Sequence, residues 1–240
     1  MTAPPPSLAS SPHTVVIALH YQNDVLHADG KIRVGLGADS LDRARVIAAA
    51  GALLAGARAR GWPIVHVRVA FRPDGADILQ NGAIFRAVAA SGAVREGSWG
   101  AAFFESLAPD STSPREWVVK HSRINAFYGT PLDEALRVCR AERLVIAGVA
   151  THSVVESTVR HAADVGFDVW VAADACAAAD PAVHAASLAS QQLIATVATV
   201  EACLAAGTTA PSRSAALRSA TGSTPRSAPN ARTRAPARPR

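Results

Sequence analysis

Residues 143–158 read RLVIAGVATHSVVEST. The first half, Arg143–Ala150, is a near-continuous apolar run rich in β-branched residues, the pattern of a strand buried on both faces. From Ser153 the pattern changes to a helix that runs to Gly166. A buried strand handing over directly to a helix is half of a βαβ unit, and it sets the reading of everything around it.

Working outward, Thr14–Leu19 (TVVIAL), Pro63–Val69 (PIVHVRV) and Phe167–Ala173 (FDVWVAA) are further strand-like runs, with a short one at Trp117–Lys120. Between them, Ser40–Arg60 reads as a long helix stopped by Gly61. Thr130 followed by Pro131 reads as an N-cap and first helical residue, with Asp133 and Glu134 in the turn where the helix dipole favours acids. Asp180 with Pro181 opens a last helix that ends before Gly207. Apolar strands alternating with helices predict a doubly wound, mostly parallel α/β sheet covered on both faces. Ligands of such sheets bind at the carboxyl ends of the strands, where the strand order reverses. That rule points to His20, Lys120 and Ala150–Val154.

Across its 240 residues the chain carries a formal charge of +5, which conceals two regions. The segment from Gly207 to Arg240 has seven arginines and no acid, leaving 17 basic and 19 acidic residues elsewhere. The expected organisation is a flexible segment over 1–13, one domain over 14–206, and a disordered Arg/Pro/Ala/Ser-rich tail over 207–240. The tail reads as a solvated extension; contact with nucleic acid is the alternative reading. No apolar run reaches the roughly 20 residues of a membrane helix. Met1–Ser11 lacks the charged start of a secretory signal, so a cytoplasmic location without membrane contact is expected.

Cys139, Cys176 and Cys203 are far apart and form no CxxC, so they read as buried free thiols. There is no Walker A, GxGxxG, HExxH or GxSxG pattern and no His/carboxylate metal spacing, so neither cofactor nor metal is expected. Lys120 stands out in a chain with 22 arginines and two lysines. It ends the apolar run WVV, where its stem either snorkels to the surface or places the charge in a cleft. His66, inside a strand, reads as a core residue. Asn23 and Asp24 read as a turn that bonds the backbone.

Three segments, VVIALHYQND, VVKHSRINAFYGTPLDEAL and LVIAGVATHSVVEST, together with VAADAC, resemble the landmark motifs of the isochorismatase-like cysteine hydrolases. The likeness runs from about Thr14 to Ala206. It implies a six-stranded parallel sheet, cofactor-independent hydrolysis of an amide or vinyl ether in a small molecule, and a homodimer or homotetramer. It also implies an Asp–Lys–Cys triad. On these motifs the Asp position falls on His20, the Lys on Lys120 and the Cys on Val154, so two of the three have changed. A cis peptide at Val149–Ala150, with oxyanion-binding amides at Ala150 and Val154, is implied as well.

Val154 has no lone pair, so covalent catalysis from that position is excluded by chemistry. Ser153 points about 100° away on a helix and reads as an N-cap. His20 is either a general acid/base or a hydrogen-bonded strand-end residue. His152, Trp99 and Phe127 are candidate pocket walls; His152 alternatively marks the helix entrance, and Phe127 alternatively packs in the core. Two functions remain open. One is a hydrolase of a small polar, carboxylate-bearing substrate that works without a cysteine. The other is an inactive relative that keeps the pocket for binding or assembly.

Overall fold

The structure, a computed structural model, describes residues 13–206. The readings for residues 1–12 and for the tail from Gly207 lie outside them. Six strands form one sheet: β1 (Thr14–Leu19), β2 (Ile64–Val69), β3 (Glu116–His121), β4 (Arg143–Gly148), β5 (Asp168–Ala172) and β6 (Thr196–Ala198). Their order is β3-β2-β1-β4-β5-β6, and every pairing is parallel. The expected doubly wound α/β sheet is therefore present. All residues of β1 and β4 are buried, which is why both read as unbroken apolar runs.

The helices are α1 (Asn23–Leu26), α2 (Arg43–Ala59), α3 (Ala83–Ser91), α4 (Leu132–Val138), α5 (Glu156–Asp164), α6 (Pro181–Gln191) and α7 (Val200–Ala206). The chain steps one way along the sheet from β1 to β2 and the other way from β4 to β5. Right-handed crossovers then put α2 and α5 on opposite faces. In keeping with this, α7 packs on α2 and α6 packs on α5.

Several boundaries differ from the sequence reading. The long helix starts at Arg43 rather than Ser40. The single last helix is in fact α6, then the edge strand β6, then α7. The β-branched run Thr196–Val200 carries that signal, and pairing with Trp170 and Val171 draws it into the sheet. Asp180 caps α6 as expected, accepting from the Ala182 amide at 2.8 Å with Pro181 first in the helix. Thr130 accepts from the Leu132 amide at 3.2 Å, but Pro131 precedes α4 rather than starting it. No described helix is long and apolar enough to cross a membrane.

β1 and β4 lie on either side of the point where the strand order reverses. Leu19 pairs with Gly148 there, and Gly148 has φ +154°. A Cβ on Gly148 would collide with the Leu19 carbonyl oxygen. This is backbone, which cannot rotate away. Gly148→Ala is therefore expected to lower stability by about 3 kcal/mol, the upper end for a strained backbone position. A urea midpoint within error of the parent would contradict this reading of the junction.

Candidate active site

His20 is the first residue beyond β1. It has φ +59°, a left-handed conformation uncommon outside glycine. Its amide donates to Val67 O at 2.9 Å, and its carbonyl accepts from the Gln22 amide at 2.7 Å. The chain is thus bent sharply, and the imidazole is turned into the space beyond the strand ends. The next residues are fully occupied in holding this bend. The Gln22 amide group donates to Val69 O at 2.9 Å and Ala101 O at 2.8 Å, and accepts from the Val69 amide at 2.8 Å. Asn23 donates to Trp99 O at 2.9 Å. Asp24, buried, accepts from the Val94 amide at 2.7 Å and the Lys31 amide at 3.1 Å. The QND run is a structural clamp.

The partner of His20 is His121, the last residue of β3. Their Nε2 atoms are in direct contact, with ring centroids 4.7 Å apart and planes tilted by 45°. Lys120 is not in the site. Along β3, Val119 and His121 are buried, whereas Val118 and Lys120 are exposed. Successive side chains of a strand point to opposite faces, so only one of Lys120 and His121 can lie on the His20 side of the sheet. Lys120 faces out, 42% exposed, and pairs with Glu96 at 3.1 Å, which also holds Arg68 at 2.7 Å. The sequence reading ended the strand one residue early and assigned the site to the wrong neighbour. The alternation from buried Val119 was the available signal.

Beyond β4 the peptide Val149–Ala150 is cis. A π-helical turn, Thr151–Val155, then leads into α5, so Ser153 lies inside a turn capped by Ala150 and is not itself an N-cap. His20, Ala150 and Val154 line one cavity of about 60 Å³. Its other walls are largely apolar, among them Val69, Phe71, Phe85, Val88 and Ile124, and among the described residues its one positively charged wall is Arg123. The Arg123 guanidinium lies 3.8 Å above the Phe85 ring and donates to Asn81 Oδ1 at 2.8 Å and Leu79 O at 3.3 Å. Sequence reasoning missed both His121 and Arg123.

The remaining expected site residues lie outside this cavity. His152 is exposed and lines an adjoining open recess of about 400 Å³, which shares Val34, Ile84, Ile124 and Ser153 with the inner cavity. Trp99 is 53% exposed and meets His27 edge-on, so it walls the neighbouring surface instead. Phe127 is buried and stacked on His161 at 4.5 Å, a core contact. Among the described residues no group of three or more His, Cys, Asp or Glu is placed to hold a metal ion. Cys176 and Cys203 are buried and Cys139 is half-buried; all three are free thiols. Burial pushes the Cys176 and Cys203 thiols up to about 12, so neither is a ready nucleophile.

Burial disfavours the imidazolium at both site histidines. His121 falls to about 4, slightly opposed by its bond to Asn125 O. His20 is held well below its ordinary value by burial and by His121 beside it, opposed by a bond to the Val149 backbone. At neutral pH the pair is uncharged and can accept a proton.

A doubly wound domain with a largely apolar cavity at its switch point, lined by one of two paired histidines, is a small-molecule site in form. The chain belongs to the isochorismatase family: the isochorismatase domain model matches residues 14–202. It is 34% identical to the uncharacterized isochorismatase family protein YecD of Escherichia coli O157:H7 over 58% of this chain and 70% of that protein. It is 38% identical to the ureidoacrylate amidohydrolase RutB of Methylobacterium radiotolerans over 40% of this chain, a match spanning only 36% of that enzyme. The crystal structure of an isochorismatase family protein from Desulfovibrio vulgaris is similar with a TM-score of 0.70 and 26% identity, over 80% of this chain and 96% of that one.

The folded-state values set a pH dependence of stability. In the unfolded chain both histidines titrate near 6.5. Between that value and their lower folded values the unfolded chain binds more protons, so stability is full above about pH 6.5 and declines as pH falls toward 4. Denaturation midpoints measured from pH 7.5 to 4.5 should fall accordingly, and His121→Asn should flatten the slope. An identical slope in that variant would show that the pair titrates normally.

Proposed function

We propose that this chain is an isochorismatase-family hydrolase that works without a cysteine nucleophile, splitting a small amide with the His20–His121 pair as general base. The carrying observation is that half-buried His20 lines the cavity with Ala150 and Val154, its Nε2 backed by the buried His121. An uncharged pair favours amide over vinyl-ether chemistry, because vinyl-ether hydrolysis begins with a proton donated to the substrate and amide hydrolysis begins with one taken from water.

The sequence of bonds is simple. Water passes one proton to the pair as its oxygen bonds to the acyl carbon. The Ala150 and Val154 amides receive the developing oxyanion. The C–N bond then breaks as the pair returns that proton to the departing nitrogen. No side chain becomes acylated. The apolar walls select a compact apolar acyl body rather than a polar one, and Arg123 is the group for a carboxylate at the cavity edge. Lys120, held by Glu96 on the outer face, has no part in this scheme.

A second reading has its own support. The cavity is narrow, and Val154 fills the place where the resemblance sets a nucleophile. Binding without turnover is the function those walls suit. A panel of short-chain amides, including isobutyramide, separates the two. For a hydrolase, His20→Asn and His121→Asn should each lower kcat/KM by about 100-fold or more, while Lys120→Ala stays within about twofold, as expected for an exposed pair. Binding of amides with no ammonia release supports the second reading, and turnover indifferent to His20→Asn removes the pair from the mechanism.

A further inference from the structure

Each imidazole has two ring nitrogens, and a neutral ring carries one N–H. His121 Nδ1 lies 3.4 Å from Asn125 O, a carbonyl that can only accept. The Val149 backbone beside the His20 ring likewise favours a ring N–H there, while the ring's Nε2 faces His121. If both outer nitrogens donate, the two Nε2 atoms present lone pairs to each other. One further proton between them turns this repulsion into a hydrogen bond and gives the pair a single positive charge. Neutrality instead requires one outer nitrogen to give up its carbonyl. The hydrogen-bond frame therefore favours one more proton than the largely apolar cavity favours, since an unpaired buried charge is costly.

We propose that the His20–His121 pair is a one-proton site, and that the cavity binds a small apolar-bodied monocarboxylate together with that proton. This rests on the functional reading above only in taking the cavity as the ligand site. The anion supplies the counter-charge that the walls lack, so protonated pair and carboxylate stabilise each other. The other charged groups near the site cannot do this. Arg123 is already cationic. Asp24 on α1 is turned to the Val94 and Lys31 amides. Glu96 is held by Arg68 and Lys120, and Glu156 on α5 by Ser187 and Arg160. The segments around the cavity from α3 and the Ile32–Val34 stretch contribute Ile84, Phe85, Val88, Ile32 and Val34, none titratable.

The carboxylate produced by amide hydrolysis fits this description. Its retention with a proton on the pair makes product release faster at higher pH. The class of reaction upstream would then be one that forms a short-chain amide, and the class downstream one that consumes the free acid.

The test uses isobutyrate as the probe and isobutyramide as the neutral control, by titration calorimetry on the full chain. Measurements in two buffers of different ionisation enthalpy at pH 7 should show close to one proton taken up per isobutyrate bound. Affinity should weaken up to tenfold per pH unit between pH 6 and 8, with neither effect for isobutyramide. His20→Asn and His121→Asn should each abolish the proton uptake. The wild-type buffer and pH dependence decides the matter even if a variant fails to fold. Isobutyrate binding with no proton uptake, binding independent of pH, or no binding at 50 mM would each overturn the proposal. Amide turnover without proton-linked binding sinks this inference alone. Proton-linked binding without turnover sinks the hydrolase reading and leaves this one standing.

Discussion

The pairing of β1 with β4 is the contact on which the rest of the molecule depends. Both strands are buried along their whole length, and they meet where the strand order reverses. Chain direction diverges on either side of that seam, so the loops leaving the two strands part and open a space between them. Leu19 can sit against Gly148 only because residue 148 has no side chain. That approach sets where His20 and Ala150 emerge. A bulkier junction would push the two loops apart and break the cavity into two unrelated surfaces.

The site built at that seam is electrically unusual. A carboxylate, an ammonium and a thiol, as the family resemblance implies, balance one another. His20, His121 and Val154 contain no permanent charge at neutral pH. Proton movement is therefore the only way this centre can change its charge. The left-handed backbone at His20 and the commitment of Gln22, Asn23 and Asp24 to backbone carbonyls and amides fix the imidazole without surrounding it with polar groups. The ring is held firmly yet remains poorly solvated, which is the condition for a strongly perturbed histidine.

Patterns repeated over many residues could be read from the sequence, and single-residue decisions could not. The buried runs of β1, β2, β4 and β5 and the Asp180–Pro181 helix start were readable because burial on both faces and capping leave local signatures. β6 was not, because three residues inside an alanine-rich stretch fit a helix equally well until Trp170 and Val171 offer them a sheet edge. The choice between Lys120 and His121 turned on one residue of strand length. With period 2, an error of one exchanges the inside for the outside. Lysine drew the assignment because it is rare in this chain, yet its rarity says nothing about which way it points. Arg123 was invisible for another reason: its place in the cavity depends on Phe85, Asn81 and Leu79, far away in sequence.

β3 shows how the same side chain serves two ends. At its start, Glu116 takes Arg58 at 2.8 Å and the fully buried His66 at 3.0 Å. Burial alone would raise the Glu116 carboxyl, but Arg58, the Asp110 amide and His66 together hold it at about 2. His66 thus has a permanent anion beside it, and burial is partly offset by that charge. At the other end of β3, His121 has His20 and the Asn125 carbonyl beside it but no anion. A histidine whose counter-charge is built into the fold is finished, and its contribution is to stability. A part-buried pair with no counter-charge beside it is incomplete until something enters. The structure keeps that incompleteness where two diverging loops leave room for a ligand, and it closes the corresponding demand at the far end of the same strand.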